Sequence, residues 1–515
     1  MLFESLERRE MMAVSASLNK AGTLTIKGTK NADSISFMQT DGTIYASGVK
    51  KGVWQASKVH SIVVDLGKGN DTVSFRSLAN GGNQALAENL TIFNKAVGVD
   101  TVRLADGHDL TMNGKGQSVY VNSGGTAWLN GVQQTWNPPA PPSPNPPSPN
   151  PPAPPTPQPT TWFDTHVIDT ALKTLGSSLY VDGLIDRNDM IALLRSAQDS
   201  NVVDATELSD LRTIVSNTTL FGTAEHVWKL GTYIVSANNA NATYNGQSLG
   251  NLAAGSSGTH LEKLIGKWYL GLDRPTAGGA YRHIAGQLFV GGAAYSDIKQ
   301  GYLGDCYFMA SLAETALRNP SVIANMFVVN GDGTYAVKFF NNGQSHYVTV
   351  DSYLPTDGAG RLIYANLGAV YNNSGNELWT ALAEKAYVQI NQMGWLRSGL
   401  PGNGQNSYAA IEGGYIYAAL GQISGQATVA FASTAGTASF STFVTAFNAG
   451  KSIGFASKSA PASTTVVGNH AYTVLSYNAA NQTVTLYNPW GTSYALVTMT
   501  WSQIQGSFAY FDRTA

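Results

Sequence analysis

Sulfur chemistry is almost excluded by composition, because 515 residues contain a single cysteine, Cys306. One cysteine closes no internal disulfide, so stability must come from packing or bound ions, and the thiol is free to react. Charge is scarce as well. Only 12% of the residues are charged and the net charge is -2, which leaves no basic footprint for nucleic acid and no polybasic patch for a membrane surface. No apolar run approaches the roughly 20 residues that span a bilayer, and the start lacks the apolar centre of a secretory signal peptide. Proline is rare outside one stretch, since 14 of the 20 prolines fall between residues 138 and 159.

What is present divides the chain. A length of 515 residues exceeds one compact core, so several domains are expected. The repeats of "PPSPNPPSPNPPAPP" are held to extended polyproline II, a stiff linker over 138–159 that rises about 3.1 Å per residue. Ahead of it stand a signal-like segment, 1–15, and a β-rich, repeat-like module, 16–137. The opening "MLFESLERREMMAVSA", through Phe3, Leu6, Glu7, Arg9, Met11 and Met12, resembles a short bacterial N-terminal signature of exported proteins. That resemblance implies an exported or cell-surface protein. An amphipathic first helix on a cytoplasmic protein is the other reading.

Three stretches in the β-rich module, "NADSISF" (31–37), "GKGNDTVSF" (67–75) and "GVDTVRL" (98–104), each place an aspartate two residues before a branched apolar residue. Alternation of this kind predicts strands joined by small polar turns, in a β-solenoid or a sandwich. Gly67, Gly69, Asn70 and Asp71 resemble one rung of the repeat-in-toxin family, whose turns hold calcium, but the rungs here are not in tandem. After the linker, 160–217 reads as a small helical, EF-hand-like module. Its loops "DGLIDRNDM" and "SNVVDATEL" match the back half of an EF-hand loop: Gly183 or Asn201, then Ile185 or Val203, then Asp186 or Asp204, then Asp189 or Glu207. Ser178 and Ser196 stand where the first acidic ligand belongs. A degenerate structural pair and a weak calcium site both fit.

The thiol has a purposeful setting. Phe308, Met309, Leu312, Ala313, Ala316 and Leu317 form one helical face that ends at "RNP", 318–320, which puts Cys306 at a helix N-terminus, where the backbone dipole favours thiolate. Asp305 is expected to cap that helix through its carboxylate. A nucleophilic thiol also needs a base, an orienting group and an oxyanion donor. His470 in "GNHAYTVLSYN" and Asn488 in "LYNPWGTS" fall on what reads as a hairpin, and the Gln300 amide N–H is placed to meet the oxyanion beside the Cys306 N–H.

In their order and local context these segments resemble the calpain family of papain-like cysteine endopeptidases. "FVGGAAYSDIKQGYLGDCYFMASLA", "GNELWTALAEKAYVQIN", "GNHAYTV" and "NPWG" carry the likeness, over roughly residues 260–515. The resemblance implies an α+β catalytic domain, 218–515, of two lobes at about 262–400 and 401–515, with the seam in "RSGLPGNGQNS" (397–407). It implies Cys306 as nucleophile, His470 as base, Asn488 as orienter, Gln300 as oxyanion donor and Trp490 as a shield over the His–Asn pair. It also implies one calcium in the catalytic domain, held by the carbonyls of Val290 and Gly292 and the carboxylates of Asp297 and Glu377. A second family calcium site is not expected, because Tyr494 stands where its glutamate belongs. Tyr307 replaces the usual tryptophan after the nucleophile. The function expected is a calcium-dependent endopeptidase acting on protein or peptide substrates, with no nucleic-acid partner. A catalytically inert, calpain-like surface binding protein is the alternative.

Overall fold

The computed structural model describes residues 161–180, 183–217, 220–434 and 439–515, with most strands and some of the joins between 14 and 133. The head motif from Phe3 to Met12, the turn Gly67, Gly69, Asn70 and Asp71, and the proline stretch 138–159 lie outside the described residues. The chain divides into two units, Met1–Thr156 and Pro157–Ala515.

In the first unit, each of the three aspartate motifs delivers one strand to the same sheet: Ser34–Thr40, Thr72–Ser74 and Val99–Arg103. These strands pair in parallel, and the branched residues after the aspartates fall into line, Ile35 beside Val73 and Val73 beside Val102. A second sheet repeats the arrangement with Thr23–Lys27, Ser61–Leu66 and Asn89–Asn94, stacking Ile26 on Val64 and Val64 on Ile92. All six side chains are fully buried in one shared core. The chain therefore winds from sheet to sheet in successive coils, and side chains on alternate positions meet inside. Antiparallel strands flank the parallel ladder, Ser15–Leu18 and Ser118–Val121 in one sheet, Thr43–Ser47 and Asp109–Asn113 in the other. This is a coiled solenoid rather than a sandwich of antiparallel strands.

The second unit begins with helices. Gly183 and Asn201 take positive φ of 77° and 62°, the sharp turns the EF-hand reading called for. The acids that follow serve the backbone instead. Asp186 accepts the N–H groups of Asn188 and Asp189 while Asp189 accepts that of Asp186, and Asp204 with Glu207 repeats this box at the next helix. Nor do the two loops pair with each other: Ile185 N–H donates to Phe221, and Val203 pairs with Ser256. Among the described residues, no group of three or more His, Cys, Asp or Glu side chains is placed to hold a metal.

One apolar core runs from Phe163 to Tyr487, so the helices of 160–217 share their interior with the segment expected to form the first lobe, 262–400. A second core, from Phe443 to Phe511, lies under a six-stranded antiparallel sheet that starts at Thr428. The seam differs from expectation. Tyr408, Ile411, Ile416, Leu420 and Ile423 all belong to the first core, which therefore passes residue 400 and ends with the helix Ile416–Ser424. The glycine-rich run 397–407 is pinned, not a hinge. Arg397 is 4% exposed and donates to the carbonyls of Pro401, Ile411 and Glu412, and Asn391 donates to those of Gly402 and Gln405.

Truncating Val73, the middle rung of its ladder, to alanine should cost about 2–3 kcal/mol. Calorimetry of the full chain should show the transition of the first unit lowered and that of Pro157–Ala515 unmoved.

Candidate active site

The helix Cys306–Arg318 forms because apolar residues recur at helical spacing and Asn319–Pro320 stops it. It is buried on more than its apolar face: Tyr307 through Ala316 are all buried, including Ser311, Glu314 and Thr315. Each polar member is satisfied, Ser311 by the Tyr307 carbonyl and Thr315 by that of Ser311. Cys306 is half-buried at the first helical position. Burial pushes its thiol up to about 11, and the charge of Asp305 adds to this, while the N–H groups of Ala471 and Tyr307 oppose it. Asp305 stands at the N-cap, but its carboxyl makes no bond to the helix N–H groups. It turns to the interior instead, accepting from Gln300 at 3.2 Å and meeting Glu384. The cap expected from sequence is thus replaced by contacts distant in the chain.

His470 and Asn488 flank a hairpin at the same end. The strand Ala471–Asn478 follows the histidine, Thr483–Tyr487 precedes the asparagine, and Thr473 faces Tyr487 across the ladder. His470 Nε2 lies 2.9 Å from Asn488 Oδ1, which also accepts the N–H of Trp490 at 3.0 Å. The Trp490 ring stands 5.0 Å from the imidazole and Tyr472 meets it edge-on at 5.1 Å. Burial lowers the histidine pKa, and the bond to Asn488 opposes that shift. With Nε2 engaged by the amide oxygen, Nδ1 is the nitrogen left to exchange a proton.

Direct bonds sew the two sides together. Tyr487 Oη donates to the Ile298 carbonyl at 2.7 Å and Gln300 N–H to that of Pro489 at 2.8 Å. Thr473 Oγ1 reaches the Ala310 carbonyl at 3.0 Å, and Val474 N–H donates to Glu314 Oε2 at 3.1 Å. The structure thereby brings Cys306, His470, Asn488 and Gln300 into one place, with the N–H beside His470 facing the thiol. One orientation departs from expectation. Gln300 is 5% exposed and donates through Nε2 to the Leu303 carbonyl at 2.6 Å and to Asp305, while its Oε1 is buried without a partner. Both amide hydrogens are engaged inward and neither is offered to an oxyanion.

Of the four expected calcium ligands, the Asp297 and Glu377 side chains line one cavity. Val290 N–H donates to Glu377 Oε1 at 2.7 Å, and Asp297 accepts from Ala294 N–H at 2.7 Å and Trp379 Nε1 at 3.1 Å. Burial raises the Glu377 pKa and the charge of Asp297 adds to it. Both carboxylates line a cavity of about 350 Å³ with Lys299, Asn366 and, from the second lobe, Thr492. Gly291 and Gly292 take φ of 80° and 97°, where a side chain would be strained. Two carboxylates on one cavity are hard-oxygen donors of the kind calcium takes. Tyr494 is 49% exposed and packs its ring 5.3 Å from that of Trp490.

Residues 274–508 match the model of the calpain family cysteine proteases. The chain carries a calpain-family cysteine protease domain. Among curated relatives, the calpain-type cysteine protease DEK1 of Zea mays is 32% identical over 143 residues, 27% of this chain and 6% of that protein. Calpain-8 of Mus musculus is 33% identical over 133 residues, 25% of this chain and 16% of that protein. The Calpain-2 catalytic subunit of Homo sapiens is 38% identical over 111 residues, 20% of this chain and 15% of that protein. The chain thus spans only 6–16% of the length of these relatives.

Within the calpain-family domain, several supports were not singled out from sequence. The Tyr307 hydroxyl donates to the Ile411 carbonyl at 3.0 Å and accepts from Arg397 at 2.8 Å. A Cβ on Gly414 would fall 2.4 Å from the Tyr307 ring, so only glycine fits there. Glu314 and Glu384 left one signal each, an acid inside an otherwise apolar helical run. Glu314 is fully buried, and burial pushes its carboxyl up to about 7 although Arg318 and the N–H groups of Ile453 and Val474 oppose this. A carboxyl raised on folding stabilises fully below its ordinary value of 4.5, and that stability is lost as pH rises through about 7. The thermal midpoint of wild type relative to Glu314→Gln should therefore fall between about pH 4.5 and pH 7. A difference constant across that window would show that burial does not hold the acid neutral.

Proposed function

We propose that the domain is a calcium-dependent cysteine endopeptidase in which Cys306, His470 and Asn488 hydrolyse peptide bonds. The observation that carries this reading is the imidazole bonded through Nε2 to Asn488 while the backbone N–H of the next residue faces the single thiol. His470 Nδ1 takes the Cys306 proton, and the sulfur attacks the scissile carbonyl. The tetrahedral oxyanion is met by the Cys306 N–H and, after its amide turns outward, by Gln300. Collapse expels the amine, which receives the proton from His470 and leaves a thioester. Water, deprotonated by the same nitrogen, then releases the acid and restores the thiol. Asn488 keeps the ring upright throughout, and Trp490 shields the bond between them.

The resting arrangement supports a switch. A thiol pushed up to about 11, an imidazole pushed down and an inward Gln300 describe a site that does not yet hold the reactive ion pair. Calcium, when bound, supplies positive charge that offsets the repulsion between Asp297 and Glu377 and favours one arrangement of the lobes. Val290 and Gly292 would give it carbonyl oxygens. These same resting features suit the second reading, an inert binding protein, and an epoxide thiol inhibitor separates the two: labelling that requires calcium supports the enzyme, and an inert thiol with and without calcium supports the remnant.

Cys306→Ala should abolish casein cleavage, a loss of roughly ten-thousandfold or more, with folding intact by circular dichroism; residual cleavage near wild type removes the assignment. Asp297→Ala should raise the calcium concentration for half-maximal cleavage by about tenfold or more, and an unchanged requirement moves the switch elsewhere.

A further inference from the structure

Behind the thiol, two carboxyl groups meet without a cation. Asp305 is fully buried and Glu384, from the helix Trp379–Ile390, is 1% exposed, and their side chains are in hydrogen-bond contact. Asp305 Oδ1 takes the Gln300 amide N–H at 3.2 Å and Glu384 Oε2 takes the Ala365 N–H at 3.0 Å. The other two oxygens, Asp305 Oδ2 and Glu384 Oε1, are buried and receive no donor from any other residue. Two ionised carboxylates in such contact, away from water, repel strongly, whereas one proton between them satisfies both free oxygens.

The surroundings do not supply an alternative. Glu412 adds negative charge toward Asp305, and Tyr307, Tyr387 and Tyr408 face the pair with hydroxyls that burial holds neutral. Arg397 is committed to the Tyr307 hydroxyl and the carbonyls of Ile411, Glu412 and Gly413. Lys385, next in sequence to Glu384, is committed to Asp351 and the carbonyl of Tyr353.

We propose that Asp305 and Glu384 share one proton and act as a positioning pair for the thiol site, holding the Gln300 amide turned inward and fixing the charge one residue from Cys306. The inference rests on Cys306 being the working thiol of the proposed protease. Burial pushes the Asp305 carboxyl up to about 7, with Glu384 raised well above the usual carboxylate range. Below the point where the shared proton leaves, the pair carries a single negative charge. Above it a second charge appears beside Asp305, which disfavours the thiolate and draws the Gln300 N–H more firmly inward.

Alkylation by iodoacetamide reads this directly, because the thiolate displacing iodide can only be Cys306. Rates would be followed from about pH 6 to pH 10 in wild type, Glu384→Gln and Asp305→Asn. Each variant offers an amide N–H in place of the shared proton and keeps a single carboxyl, so it never carries two negative charges. Both should match wild type near pH 6 and react about threefold or more faster at the alkaline end; either variant suffices if the other does not fold. Coincident profiles in all proteins overturn the pair. Casein cleavage measured in parallel keeps the two readings apart: shifted alkylation without wild-type cleavage upholds the pair and removes the protease, and cleavage with coincident profiles does the reverse.

Discussion

Glu314 lies on the hidden side of the helix that presents Cys306, and its carboxyl takes the N–H of Val474 in the strand that begins one residue after His470. Arg318 closes the joint, bonding Glu314 at 2.9 Å and laying its guanidinium 3.8 Å from the Phe447 ring centroid. Thr473 bonds to Ala310 one turn nearer the thiol. The Cys306 helix and the hairpin flanked by His470 and Asn488 meet here, so their registry is set by these bonds. Hydrogen bonds in so buried a place are costly to leave unmade, which makes this contact a stiff one.

The residues proposed as reactive could be singled out from sequence because their signals are local. A helix N-terminus, a His before a β-run and an Asn-Pro turn can each be read within a few positions, and their order supplied the rest. The Asp305 carboxyl was not legible. Sequence proximity offered it the helix N–H groups, and the fold offered Glu384, 79 positions away. The same reason hid the true seam. The glycine-rich run 397–407 marked the expected seam, yet Arg397 and Asn391 hold that run to the first core. In the helical segment a structural pair and a weak calcium site both fitted the acids, and the structure closes each box on its own backbone, a use that only tertiary structure distinguishes.

Three features of the site point the same way. Burial pushes the thiol pKa up and the imidazole pKa down, and the Gln300 amide is bonded inward. All three differ from the arrangement that the proposed reaction requires.

The parallel ladder of the first unit has a consequence of another kind. Each coil touches only the coils beside it, and Ile35, Val73 and Val102 perform one job three times over. A whole turn of the winding can therefore be gained or lost in evolution while the flanking antiparallel strands still close the ends, making the reach of this unit a heritable variable separate from anything the thiol does.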